Sequence, residues 1–401
     1  MTVGAASDEC RVLWELRRSQ GLFALLEEST DSELQIQAQL RRKIPDDVVR
    51  GALAVAELRH RAAAKFSRAA EMWFDRKGLE QATPEAVARH KAKRFAGPVW
   101  DYCSGIGGDT IALAAHCEVM AVDVSPAQAL RTTWNAEVYG VASEVQAVCA
   151  DVQQLISSAG LIHIDPDRRA ANGGRSRRVE ESVPGLEFLQ RLTGEFAGGA
   201  IKLSPAGNFA GKFPDGELEL VSLSGECKEA TVWFGELASP GLWRATVLPA
   251  GETLAADPLS AQAEVGPLGG FLYDPDPAVV RAGLVDVLAE RLNLRRLDEA
   301  EEYLTSDQLV ESPFLRAMVV DAQLPNNERE IRRHFRGAGI GQVEIKCRHI
   351  PIQADAVRRR LPLEGRRAAV LVFARISGKA RAVICRRVVD RDNRGQFTPG
   401  K

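Results

Sequence analysis

The chain has 401 residues, of which 45% are hydrophobic and 26% charged, and a formal net charge of −2. This is the composition of a globular protein long enough for two or three domains with their own cores, and it holds no run of about 18 apolar residues that would span a membrane. Its seven cysteines are scattered and none forms C-x-x-C, so no disulfide framework and no metal site are expected, and the expected compartment is a reducing cytoplasm.

The first ten residues show no basic stretch followed by an apolar one, so no secretory leader is expected. Residues 1–96 read as a helical N-terminal region: Leu22, Phe23, Leu25, Leu26, Val48, Leu53, Val55 and Leu58 recur at helical spacing between charged positions. The pattern runs on from Arg59 to Phe74, with Ala63, Phe66, Ala70 and Trp73 on one stripe. Gly78-Leu79-Glu80-Gln81 reads as a polar loop. Thr83-Pro84-Glu85 gives a cap, a proline and an acid, and so starts a helix. His90, Lys91, Lys93 and Arg94 are expected on its solvated face, the alternative being that they border a ligand pocket.

Val99 to Thr110, V-W-D-Y-C-S-G-I-G-G-D-T, reads as a strand ending on Asp101, a turn with Gly105, Gly107 and Gly108, and a helix start capped by Asp109. Glycines suit close approach of backbone to a ligand, and free N–H groups at a helix start suit an anionic one. The spacing G-x-G-G does not match the dinucleotide fingerprint G-x-G-x-x-G. A second strand ends on Asp123-Val124, placing an acid for ribose hydroxyls, and Ser125-Pro126 caps the next helix. A third ends near Asp151-Val152, and a fourth carries Asp165-Pro166-Asp167-Arg168-Arg169, 64 residues after Asp101. Strands at 99–102, 118–124, 145–149, 160–165, 199–203, 218–223 and 229–234 alternate with helical patterns, which argues for a mostly parallel sheet in an α/β, Rossmann-like domain over 97–250. The last two are too close for a crossover helix and form an antiparallel hairpin. Ligands in such sheets sit beyond the carboxyl ends of the strands, where all four acids fall.

Arg168, Arg169, Arg175, Arg177 and Arg178 surround Asn172-Gly173-Gly174, either as a loop closing on a phosphate backbone or as an exposed loop. Lys202 and Ser204 share the rim, with Lys202 expected to face substrate. Residues 251–305 read as a linker and a helix begun by Asp276-Pro277. Residues 306–390 read as a small α+β domain, ferredoxin-like or related, with strands and helices in the order β-α-β-α-β-β, followed by a tail, 391–401. Between Ile331 and Asp390 there are fifteen Arg and Lys against four Asp and Glu. With Arg358, Arg359, Arg360, Arg366 and Arg367 expected at one end, this suggests a polyanionic partner.

On these residues the chain resembles bacterial class I S-adenosylmethionine-dependent methyltransferases with a C-terminal THUMP-like domain. The segments that carry the resemblance are W-F-D-R-K-G-L-E-Q-A-T, D-Y-C-S-G-I-G-G-D, I-D-P-D-R-R, V-W-F-G, F-L-Y-D-P-D-P-A-V-V-R-A-G-L, Y-L-T-S-D and V-E-I-K-C-R. The resemblance implies S-adenosylmethionine as cofactor, bound by Asp101, Cys103, Gly105, Gly107, Gly108, Asp109, Asp123, Val124, Asp151 and Val152. It implies a catalytic element at Asp165, Pro166, Asp167 and Arg168, where amino-group methyltransferases carry [D/N]-P-P-[Y/F/W/R]. Asp167 in place of proline and the missing aromatic leave the methylated atom open, and Asp165 is either an acceptor for the target amine, a general base or a cofactor-pocket acid. RNA is the implied substrate, held by Arg169, Arg175, Arg177, Lys202, Arg358, Arg359, Arg366 and Arg367. The alternatives are a catalytically silent cofactor-binding RNA-binding or assembly factor, and a methyltransferase of protein or small molecules.

Overall fold

The structure, a computed structural model, describes residues 3–28, 33–155, 160–167 and 178–388. The chain forms two compact units: residues to Leu223 with Cys227–Leu242, and Ser224–Glu226 with Trp243 onward. No helix among the described residues is long and apolar enough to cross a membrane.

In the first unit, four helices, α1 (Val3–Arg18), α2 (Gln20–Glu28), α3 (Glu33–Leu40) and α4 (Asp46–Ala62), precede two short ones, α5 (Arg76–Gln81) and α6 (Glu85–Ala92). The helical pattern read through Phe74 stops at Ala62. Residues 63–75 form turns, with Ala63 and Ala70 exposed while Ala62, Phe66, Ala69, Met72, Trp73 and Phe74 are buried. Gly78–Gln81 is part of α5 and not a loop; the Asp75 side chain accepts from the Gly78 N–H and starts the helix. Pro84, not Thr83, occupies the capping position of α6, because the Thr83 hydroxyl is committed to Asp109 at 2.7 Å.

Then follow β1 (Val99–Tyr102), α7 (Gly108–Ala114), β2 (Val119–Asp123), α8 (Pro126–Tyr139), β3 (Val145–Cys149), β4 (Leu161–Ile164), α9 (Leu186–Glu195), β5 (Gly198–Leu203), β6 (Glu217–Leu223) and β7 (Glu226–Gly235). The strand order is β3-β2-β1-β4-β5-β7-β6. β1 to β5 are parallel and β7 runs antiparallel to β5, as expected for the fold. α8 starts as its sequence dictates: Ser125 accepts from the Gln128 N–H, Pro126 follows, and Gly140 ends the helix at φ 73°. The N-terminal helices are built onto this body: Leu13, Leu16, Leu22, Phe23 and Trp73 share a core with Ala127 and Trp134 of α8. Trp73 meets Trp134 edge-on at 5.0 Å. Burying this many aromatic and aliphatic side chains is the main force fixing α8, at about 25 cal/mol per Å² of apolar surface.

The second unit begins with a hairpin, β8 (Trp243–Leu248) and β9 (Glu252–Ala256). Its main sheet uses β10 (Phe271–Pro275), β11 (Arg295–Arg296), β12 (Leu304–Ser306), β13 (Leu315–Pro325), β14 (Ile340–Cys347), β15 (Arg367–Ile376) and β16 (Lys379–Arg387), in the order β11-β12-β10-β13-β16-β15-β14. Only β14 and β15 among these pairs are parallel. The stretch 251–305 is therefore not a linker, since β10, β11 and β12 are strands of this sheet; Leu272, Leu297 and Tyr303 enter its core. The helix begun at Asp276 divides into α10 (Pro277–Arg281) and α11 (Val285–Leu292), because Gly283 takes φ 68° between them. α12 (Glu328–Ala338) and α13 (Ala354–Arg360) complete the α+β unit.

Candidate active site

The parallel register determines what meets at the carboxyl edge of β1. Asp101 stands opposite Ala121 on one side and His163 on the other. In parallel strands, partners in register share a face, so Asp101 and His163 are side by side, and Asp101 Oδ1 lies 2.7 Å from His163 Nδ1. Thr110 Oγ1 donates to Asp101 Oδ2. Both carboxylate oxygens are thus engaged within the protein.

Beyond this edge opens a cavity of about 510 Å³. Asp101, Cys103, Gly105, Gly108, Asp109, Asp123, Val124, Asp151, Val152, Asp165, Pro166 and Asp167 all line it. The four strand-end acids are gathered on one rim. Asp123 is held by the N–H groups of Gly105 and Ser125, each at 2.9 Å, and its burial raises its pKa. Asp151 caps a short turn through the Gln153 N–H. Burial, and then the surrounding carboxylates, push the Cys103 thiol well up, so it stands neutral.

Four expectations are corrected. Gly107 does not line the cavity: it takes φ 83° at the start of α7, and a Cβ there would lie 3.1 Å from Thr132 Cα. Asp109 does not cap α7, since it lies inside the first turn. Lys91 Nζ stands 3.0 Å from its carboxylate and Lys202 Nζ 3.6 Å. Against the burial that would raise it, these cations hold the Asp109 carboxyl well below the usual range. Lys202 does not line the cavity; it is buried, with Nζ 2.5 Å from Asp165 Oδ2. Of the α6 cations, Lys93 is exposed, His90 and Arg94 are half-buried and Lys91 is buried, and none of them lines the cavity. Lys91 pairs with Glu229 at 2.8 Å, Arg94 with Glu217 at 2.8 Å, and His90 with Glu219 at 2.7 Å.

Residues 75–83 supply a wall that the sequence did not suggest. Asp75, Lys77, Gly78, Gln81 and Thr83 line the cavity. Lys77 Nζ and Gln81 Nε2 reach the Asp167 carboxylate at 2.5 and 2.8 Å. The only signal for them lay in the motif W-F-D-R-K-G-L-E-Q-A-T. Arg168, Arg169, Arg175 and Arg177 lie outside the described residues. In the second unit Arg358, Arg359, Arg366 and Arg367 are exposed. They do not gather at one end: neighbouring Arg360 pairs with Glu328 at the start of α12, whereas Arg367 donates to the Ala338 carbonyl at its finish. Glu301, Glu302 and His349, also in this unit, bring ligand-type atoms within 4.8 Å of one another, with Glu301 accepting from the N–H of Arg375 and of Glu302.

The cavity fits a nucleoside-sized cation. Its volume lies within the roughly 300–1,000 Å³ of small-ligand sites, and carboxylates dominate its polar lining. Ser104 Oγ, Gln128 Oε1 and His163 Nε2 are buried without a hydrogen-bond partner among the described residues, and all three residues line it.

Residues 315–387 match the THUMP domain-like family and residues 96–169 the RNA cap guanine-N2 methyltransferase family. An uncharacterised S-adenosylmethionine-dependent methyltransferase of Mycobacterium tuberculosis is 35% identical over 346 residues, 82% of this chain and 94% of the relative. The trimethylguanosine synthase of Schizosaccharomyces pombe is 35% identical over 100 residues, 23% of this chain and 42% of that one. A solved methyltransferase structure from Porphyromonas gingivalis W83 has the same fold, with a TM-score of 0.75 at 18% identity, covering 92% of this chain and 99% of the other. The chain belongs to the class I S-adenosylmethionine-dependent methyltransferases that carry a THUMP-like C-terminal domain.

Proposed function

We infer that this methyltransferase acts on RNA, with the strand-end acids holding the cofactor and Asp165-Pro166 facing the group to be methylated. The observation that carries the site assignment is the convergence of Asp101, Asp123, Asp151 and Asp165 on one cavity. When bound, S-adenosylmethionine supplies an electrophilic methyl group on a sulfonium. The chain's part is then to bind, orient and exclude water. Asp123, already held by two N–H groups, is placed to accept from ribose hydroxyls. Asp151 and Val152 flank the adenine end, and the backbone of Gly105 and Gly108 serves the amino-acid end. Lys202 occupies Oδ2 of Asp165, which leaves Oδ1 as acceptor for an N–H or O–H of the incoming nucleophile.

RNA is supported by the THUMP-like match, the match to an RNA cap guanine-N2 methyltransferase family and the excess of arginine between Ile331 and Asp390. Transfer of a tritiated methyl group from S-adenosylmethionine to extracts of cells lacking the gene tests this. Label is expected in RNA and not in protein, and Asp165→Ala is expected to abolish it. Label confined to protein would refute the RNA assignment, and no transfer by wild type that binds cofactor would favour a catalytically silent factor.

A further inference from the structure

Asp167 follows Asp165 by two residues and takes no part in the function proposed above. Two separate stretches of the chain are nonetheless built to hold it. Its carboxylate receives Lys77 Nζ at 2.5 Å on Oδ2 and Gln81 Nε2 at 2.8 Å on Oδ1. Lys77 and Gln81 stand four residues apart on α5, neighbours on one face of the helix. On its other side Asp167 pairs with Val183 through the backbone. The Asp167 N–H donates to the Val183 carbonyl at 2.9 Å, and the Val183 N–H donates back at 2.8 Å. The buried Ser182 hydroxyl, 2.7 Å from the Val179 carbonyl and 2.8 Å from that of Pro184, keeps this second stretch in its turn.

α5 is a fixed point for that carboxylate. Its start is capped by Asp75, which also accepts from Gln128 Nε2 at 2.9 Å. Its finish is met by Lys65 Nζ, 2.7 Å from the Leu79 carbonyl and 3.2 Å from that of Ala82, which satisfies acceptors that a helix end leaves open. Leu79 shares a core with Ile106, the residue between Gly105 and Gly107. At Gly78 a Cβ would lie 2.3 Å from Ile106 Cγ2, so helix and turn are in close contact. α5 therefore packs on the glycine turn and also grips Asp167. In the site assignment above, the turn belongs to the methyl donor and Asp165-Pro166 to the acceptor. In-line transfer depends on how these two are aligned, and a misplacement of about 1 Å can cost roughly 100-fold in rate.

We propose that Asp167 is a positioning residue: docked on Lys77 and Gln81, its carboxylate sets the place of Asp165-Pro166 relative to the glycine turn and touches neither cofactor nor acceptor. This rests on the reading of Asp165-Pro166 as the acceptor side of the site.

The test combines equilibrium binding of S-adenosylmethionine with steady-state methyl transfer to total RNA from cells lacking the gene. Asp167→Ala is expected to lower kcat about 10- to 100-fold, while KM for RNA and the cofactor dissociation constant stay within about threefold. The unchanged cofactor affinity also reports a folded pocket. Asp167→Asn can accept from Lys77 and, once the Gln81 amide turns over, donate to its carbonyl, so it is expected to recover kcat to within about fivefold of wild type. A general acid or base would be lost in Asn as fully as in Ala. An Asn variant as slow as the Ala variant overturns the proposal, as does an Ala variant that is as fast as wild type or that loses cofactor affinity in step with rate. Should Asp167→Ala not fold, Gln81→Met carries the same test from the other partner: kcat is expected to fall with cofactor affinity kept, and an unchanged kcat overturns the proposal. Wild type that transfers to protein or small molecules refutes only the RNA assignment, and the same variants are then compared on that acceptor. Wild type that binds cofactor and transfers to nothing overturns the reading and the proposal together.

Discussion

In the proposed cofactor site, Asp123 would couple cofactor affinity to pH. Burial lifts its pKa above the ordinary 3.8, more than the N–H groups of Ser125 and Gly105 lower it. The folded chain therefore holds that proton more tightly than the unfolded one. The group adds stability below its unfolded pKa, and that contribution is lost as pH rises through the folded value. Ribose recognition, as proposed for Asp123, would run the other way, because it requires the ionised acceptor. Calorimetric titration from neutral to acid pH should show S-adenosylmethionine affinity falling earlier than a solvent-exposed aspartate would dictate. Asp123→Asn should bind more weakly and lose that acid dependence. A variant retaining the wild-type profile would assign the titration to another group.

Among the elements, the glycine turn separates two kinds of requirement. Gly105 lines the cavity, and a Cβ there meets no atom within 4 Å, whereas Gly107 backs onto Thr132. Both have positive φ, 57° and 83°. Gly107→Ala should lower stability by about 1–2 kcal/mol in denaturant unfolding, the cost of a side chain in the left-handed region, while the folded protein keeps its cofactor affinity. Gly105→Ala should carry a similar backbone cost and also weaken binding; equal affinities would contradict the division. This turn and the acids around it were legible in the sequence because each signal is local: a short apolar run, a glycine, a strand-end carboxylate. The partners of α5 and α6 were not. Lys91 and Glu229 are separated by 138 residues, and Lys77 and Asp167 by 90. Nothing nearby in the chain distinguishes those lysines from a solvated helix face. His163 was hidden differently, as one polar letter inside a strand. The strands at 251–305 were missed because Gly and Pro between short runs read as a connection.

For the whole molecule, charge is divided unevenly along the chain, and RNA association should show it. Affinity for total RNA is expected to fall linearly on a log–log plot against salt, as counterions displaced from phosphates are taken up again. Reversing exposed Arg358, Arg359 and Arg366 to Glu should flatten the slope and weaken binding at least about tenfold, since every phosphate left without its arginine takes away roughly one unit of slope. A slope unchanged by the triple reversal would assign RNA binding to another surface. The side of the cavity built by Asp75, Lys77, Gly78, Gln81 and Thr83 precedes β1 in the chain, whereas the matched RNA methyltransferase region starts at residue 96. A protein shortened to begin at Pro98 would keep every glycine of the turn and all four strand-end carboxylates, yet its cleft would stand open along one flank. Solvent would enter the proposed site of methyl transfer, so the smallest working enzyme is expected to extend upstream of the sheet that names its fold.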